Sequence, residues 1–179
     1  MARALGGPYP GGPFIQSLAE QGDPFSITLP IPLLKERSCS FSFSGLKTAC
    51  IQWIAKNQAH GPLSESVKAD FCASFQRVIA QTLCQRLQYA MMDSGLKNWV
   101  ISGGVASNTY FRKRLHDTCQ NNGGELIAPA PQDCTDNGAM IAWATAEYHA
   151  AGQQPDLLFS VRAHWPLDQL VPQPIIGPL

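Results

Sequence analysis

Residues 100–108, Val100-Ile101-Ser102-Gly103-Gly104-Val105-Ala106-Ser107-Asn108, pass from a short apolar stretch through two glycines into a polar helix start. Trp99-Val100-Ile101 reads as a buried strand and Ser107 to Gln120 as the helix that it feeds. A strand that turns through glycine into a helix is the repeating unit of α/β folds with parallel strands. Glycine lets the backbone come close to a ligand, and the first amides of the helix point outward at the positive end of its dipole. Two readings fit. Either a nucleotide sits on the turn, with Asn108 offering a donor and an acceptor to a ribose or base edge, or this is a tight connection capped by Asn108. The spacing is not the dinucleotide fingerprint G-x-G-x-x-G.

Outward from this stretch, Glu125-Leu126-Ile127-Ala128 reads as a second short strand. Pro129 and Pro131 then open a loop, and Asp136 to Ala151 is helical. Upstream, Phe41-Ser42-Phe43-Ser44 alternates apolar and polar residues and predicts a third strand. Gly45 ends it, and a helix follows over about Leu46 to Asn57, stopped by His60-Gly61-Pro62. Ser64 is a fitting N-cap for a long helix to Met92. Val67, Phe71, Phe75, Val78, Ile79, Leu83, Leu87 and Met91 give that helix one apolar face. The Pro8-Tyr9-Pro10-Gly11-Gly12-Pro13 segment is punctuation before a helix from Phe14 to Gln21, closed by Gly22. The order predicts an α/β fold with a largely parallel sheet. Three short strands are few for so many helices, and the long helix lacks a sheet to cover it, so the chain reads as part of something larger. Five prolines follow Gly152 without periodicity, which divides the chain into a domain at 1–152 and a tail at 153–179.

The composition narrows the function classes. Thirteen Lys and Arg balance thirteen Asp and Glu, which excludes a strongly basic nucleic-acid module and an acidic disordered tail. No apolar run approaches the roughly 18 residues of a membrane span, and the prolines at 8 and 10 interrupt any signal-peptide core. The six cysteines contain no C-x-x-C pair, and several lie in apolar periodic stretches. They read as reduced and buried, in a reducing compartment, rather than as a zinc site.

Three further features bear on chemistry. In Cys134-Thr135-Asp136-Asn137-Gly138, Asp136 can bind a hard cation or cap the helix behind it. Lys47, after Gly45, can reach a phosphate or simply be solvated; the P-loop spacing is absent. Arg112-Lys113-Arg114 is a basic run that suits an RNA backbone or a solvated helix face. His60, His116, His149 and His164 are isolated, with no H-x-x-x-H pair and no catalytic triad signature.

Taken together, Pro10-Gly11-Gly12-Pro13, the Phe41–Ala49 segment (FSFSGLKTA), the Ser102–Asn108 segment (SGGVASN) and the Cys134–Trp143 segment (CTDNGAMIAW) resemble, in order and spacing, the tRNA threonylcarbamoyladenosine transferases of the TsaD type. The match covers roughly residues 3 to 165. The resemblance implies two lobes of the actin/Hsp70/sugar-kinase type (ribonuclease H-like), with a nucleotide in the cleft; this chain would be an incomplete second lobe. It implies transfer of a threonylcarbamoyl group from threonylcarbamoyl-AMP to N6 of adenosine 37 in tRNAs reading codons that start with A. It implies that Gly12 and Asn108 contact the adenylate and that Asp136 is one ligand of a divalent metal, Fe(2+), whose histidine ligands are absent from this chain. The implied partners are tRNA, TsaB-like and TsaE-like proteins in a bacterium, and a missing N-terminal half, in the cytoplasm or the mitochondrial matrix. A non-catalytic nucleotide-binding half and a carbohydrate kinase of the same superfamily are the competing readings, and CTDNGAMIAW speaks against the kinase.

Overall fold

The computed structural model describes residues 1–59, 61–152 and 163–166. The chain divides into two compact units, Met1–Thr135 and Asp136–Leu179. The domain expected at 1–152 takes in the first unit and residues 136–152 of the second. Apart from 163–166, the tail expected at 153–179 lies outside the described residues, as does His60.

The first unit is built on one long helix. A single 3-10 turn at Ala2–Leu5 precedes α1 (Gly11–Ala19); α2 (Ser44–Gln58) and α3 (Glu65–Ser94) follow. The 30 residues of α3 span about 45 Å. Ser64 caps it by accepting from the Val67 amide at 3.3 Å, and Gly95 closes it in a left-handed turn at φ 69°. The sequence predicts one apolar face for α3. The structure buries more than that: Phe71, Cys72, Ala73 and Ser74 are buried in succession, and Val78, Thr82 and Arg86 are buried further along. Helices and a loop, rather than a sheet, provide the cover. α1 and α4 (Thr109–Asn121) both pack on α3, and Leu46, Cys50 and Ile54 of α2 join Phe71, Cys72 and Val78 in the core. Trp53 stacks on Phe71 with ring centroids 5.1 Å apart.

Polar side chains of α3 tie down the proline-containing loop between α1 and α2. Asp70 accepts from the Asp23 amide at 2.8 Å and Ser74 from the Ile27 amide at 3.2 Å, while Arg77 donates to the Pro24 carbonyl at 2.6 Å. The Arg86 guanidinium donates to the carbonyls of Leu33, Glu36 (2.6 Å) and Ser38 (2.7 Å). These bonds satisfy backbone groups that no strand or helix would satisfy. Gly22 permits the close crossing of α1 over α3: a Cβ there would lie 2.2 Å from the Ala69 carbonyl group.

The sheet is smaller than expected. β1 (Asn98–Val100) and β2 (Glu125–Ile127) pair in parallel, with Asn98 opposite Glu125 and Val100 opposite Ile127, and α4 makes the crossover. The strand predicted at Phe41–Ser44 is not there. Phe41 is 56 % exposed, Phe43 packs partly on the core, and Ser44 already begins α2. Alternation alone does not make a strand where no neighbour supplies hydrogen bonds. Nor is the strand near Trp99 buried. Val100 is 69 % and Ile127 49 % exposed, because a two-stranded sheet leaves its pleated surfaces largely uncovered. The fold is thus an arrangement of helices with a small parallel sheet, consistent with the α/β class.

In the second unit, α5 (Gly138–Ala150) is capped by Asn137, which accepts from the Met140 amide at 3.0 Å. Met140, Ile141, Trp143 and Tyr148 are exposed on it. Among the described residues, no helix is long and apolar enough to cross a membrane.

Candidate nucleotide site

The glycine turn sits where the sequence puts it. Gly103 has φ 85°, a left-handed conformation that a side chain strains, and residues 104–107 make a single 3-10 turn. Gly104 has an ordinary backbone, and no atom lies within 4 Å of where its Cβ would be. A Cβ at 104 therefore projects into open space.

Asn108 then starts α4. Its extended backbone turns the side chain back so that Oδ1 accepts from the Phe111 amide at 3.0 Å. This is the capping role that the sequence left open beside the ligand role. Its Nδ2 donates to Oε1 of Gln76 at 2.9 Å, and Gln76 is only 6 % exposed. A carboxamide can donate twice and accept twice, so each end of Asn108 keeps one further hydrogen-bonding position.

Gln76 marks what the motif reading missed. It lines an open pocket of about 310 Å³ formed mainly by three helices: Gln16 and Ala19 from α1, Ala73 and Gln76 from α3, Thr109, Tyr110 and Lys113 from α4. Gln16 donates to the Thr109 hydroxyl at 3.1 Å, which joins α1 to α4 across the pocket. Gly12 is one helical turn before Gln16 on the same face of α1. It is exposed, with nothing near its Cβ position. α1 has no side-chain cap, and since Pro10 and Pro13 carry no N–H, the Gly11 and Gly12 amides are the ones open to an anion. No local motif announces Gln16, Gln76 and Thr109, because packing of distant segments brings them together. The one available signal was a glutamine set within the apolar repeat of α3.

The remaining candidates separate. Lys47 is exposed in the first turn of α2. The basic run is not one face: Arg112 turns inward, Lys113 reaches the pocket, and Arg114 lies over the Tyr110 ring at 5.9 Å. Asp136 is exposed in the second unit, and the cap of α5 is Asn137, not Asp136. Among the described residues, no three His, Cys, Asp or Glu side chains come together as a metal site. Asp136 supplies a single carboxylate, and the described residues do not by themselves build an iron centre. All six cysteines are free, and all but Cys39 are buried. Burial pushes the Cys50 thiol up to about 11 and the Cys72 thiol up to about 12, so neither is a nucleophile near neutral pH.

Comparison with known proteins supplies the family. Residues 1–143 match the family described as TsaD: tRNA N6-adenosine threonylcarbamoyltransferase. A protein of that name from Agrobacterium fabrum is 43% identical over 176 residues, covering 93% of this chain and 47% of the relative. Its namesake from Brucella anthropi is 44% identical over 184 residues, covering 98% and 50%. A third, from Geobacter sulfurreducens, is 42% identical over 170 residues, covering 95% and 49%. The chain spans about half the length of these curated relatives. The uncapped glycine end of α1, the Gly103-Gly104 turn and the Asn108-capped start of α4 all fall within the matched residues, and the chain belongs to the TsaD family.

Proposed function

We propose that this chain forms one wall of the adenylate site in a tRNA N6-adenosine threonylcarbamoyltransferase. It would work in a full-length or reconstituted enzyme that moves the threonylcarbamoyl group of threonylcarbamoyl-AMP to N6 of adenosine 37 in tRNAs reading codons that start with A. The observation that carries this reading is the pocket at Gln16, Gln76 and Thr109. It is bounded by α1, which begins at Gly11-Gly12, and α4, which follows the Gly103-Gly104 turn. Polar side chains line a mostly apolar recess, which suits a ribose and base, and the open amides of α1 suit the phosphate.

In this arrangement the chain binds and orients. Gly12 leaves room for the phosphate against the α1 amides. Gln16 and Thr109 offer hydrogen bonds to the ribose, and Asn108 offers its remaining donor and acceptor. Holding AMP as the leaving group fixes the carbamoyl carbon for attack by the N6 amine, and the C–O bond to the phosphate breaks as the C–N bond forms. Asp136 contributes one carboxylate to a divalent-metal site, proposed as iron, whose other ligands lie outside this chain. TsaB-like and TsaE-like proteins are the proposed assembly partners. A nucleotide-binding half that acts with a separate N-terminal chain is the same wall used in trans.

The test uses Gly104→Val. The Cβ of the valine has open space, so the unfolding midpoint should hold while the affinity for 5′-AMP, read by equilibrium dialysis, falls by about tenfold or more. Threonylcarbamoyl transfer to an A37-containing tRNA, with the N-terminal half supplied, should fall in parallel. Unchanged AMP affinity in this variant removes the glycine turn from the nucleotide site.

A further inference from the structure

Arg112 lies on the first turn of α4, and its guanidinium reaches two loops at once. Its Nε donates to the Ala106 carbonyl in the glycine turn. Its second terminal nitrogen donates to the Pro129 carbonyl at 2.7 Å and to the Cys134 sulfur at 3.0 Å. A second bridge runs alongside, from the Ser107 hydroxyl to the Pro131 carbonyl at 3.3 Å. Within the Pro129–Cys134 segment a single 3-10 turn at Pro131–Cys134 and the Asp133 amide on the Ala130 carbonyl at 2.9 Å give local support, and its two prolines have no amide to add, so the bonds from Arg112 and Ser107 are what tie it to the glycine turn. A planar fork with several donors can meet acceptors in three directions, which a lysine ammonium on a flexible stem does not reproduce. Cys134 lies near the end of the first unit, which closes at Thr135.

We propose that Arg112 is a positioning residue of the adenylate site. It fastens the glycine turn to the segment 129–134, so that a ligand seated on the turn is felt at Cys134. Arg112 touches no ligand in this proposal; it acts through Ala106 on one side and Cys134 on the other. The proposal rests on the adenylate reading above.

The test uses the 179-residue chain, 5′-AMP as the probe and Cys134 as the reporter. Alkylation by N-ethylmaleimide is followed peptide by peptide, with the core thiols Cys50 and Cys72 as folding controls in the same sample. In the wild type Cys134 should react slowly, and AMP should slow it further. In Arg112→Gln it should react about tenfold faster or more, lose its response to AMP and bind AMP more weakly, while Cys50 and Cys72 stay protected. Arg112→Lys should recover part of the AMP response. If Arg112→Gln also exposes the core thiols, the comparison passes to Arg112→Lys. There, a full wild-type response overturns the need for the guanidinium fork, and a partial one supports it. Two results overturn the coupling: AMP slows Cys134 equally in wild type and Arg112→Gln, or AMP binds the wild type without changing the Cys134 rate. Equilibrium dialysis reads AMP binding by itself. A wild type that takes up no AMP even with the N-terminal half supplied refutes the adenylate reading, and this proposal with it, and that failure is distinct from AMP that binds without moving Cys134.

Discussion

Replacing Asn108 with alanine removes two interactions inside the protein before any ligand is considered. The first is the cap of α4, the 3.0 Å bond from the Phe111 amide to Oδ1. Loss of such a cap costs about 1 kcal/mol, within a range of roughly 0.5–2. The second is the 2.9 Å bond from Nδ2 to Oε1 of Gln76. Gln76 is 6 % exposed, so its orphaned oxygen has little water to turn to and adds about 1–3 kcal/mol. Together they make about 2–4 kcal/mol, against a typical domain stability of about 5–15. A hydrogen bond lost to an adenylate would take only about 0.5–1.5 kcal/mol from binding, so Asn108→Ala should be read first as a stability variant. The sign of a second substitution separates the two parts. Gln76→Met removes the oxygen that Asn108→Ala strands, at similar side-chain volume. The double variant should therefore be more stable than Asn108→Ala alone, with only the lost cap, about 1 kcal/mol, remaining. Urea unfolding of the four proteins measures this directly. Effects that simply add, within about 0.5 kcal/mol, would refute the coupling between Asn108 and Gln76 and with it the account of how α4 is held beside the pocket.

Gly22→Ala should destabilise by about 3 kcal/mol, because its Cβ would sit 2.2 Å from backbone atoms of Ala69 and α1 would have to lift off α3; an unchanged thermal midpoint would contradict the crossing. Stability should fall at alkaline pH. Burial holds Cys50 and Cys72 protonated up to about 11 and 12, so the unfolded chain, with thiols near 9.0, loses its protons first. This contribution is complete below about pH 9 and lost as pH rises toward 11–12; the urea midpoint should drop between about pH 8 and 10.5, and less so in Cys72→Ala. The purified chain should carry no stoichiometric iron or zinc. Elemental analysis finding about one tightly bound metal per chain, lost in Asp136→Ala, would show ligands that Asp136 alone does not supply.

The parts of the fold that were legible in the sequence are those written in local chemistry. Ser64 and Gly95 bracket α3, and the glycine turn, Asn108 and α4 follow one another as read. Boundaries slipped where two local rules compete. α1 begins at Gly11 rather than Phe14, because glycine and proline are tolerated in a first turn whose amides need no partner. The Phe41–Ser44 alternation failed as a strand signal because a strand is a relation between two segments, and only one of them is in view when the alternation is read. The pocket was illegible for the same reason. Gln16, Gln76 and Thr109 are 93 residues apart at the extremes, and only the packing of α1 and α4 on α3 brings them to one recess. Buried Arg86 shows the converse: its place in a helix pattern says solvent, while three loop carbonyls draw it in.

The grip of Arg86 on Leu33, Glu36 and Ser38 has a consequence for how this molecule meets a protease. Lys35 and Arg37 are exposed, and each would be taken for a tryptic site in a surface loop. A protease, however, needs extended backbone on both sides of the bond it cuts, and the carbonyls around these residues are committed to the guanidinium. Cleavage must wait for that segment to peel away from α3, so its rate counts openings of the loop rather than encounters with the enzyme. Solvent exposure and susceptibility to cutting part company here, and the nicking rate after Lys35 becomes a clock for motions that leave the rest of the helix in place.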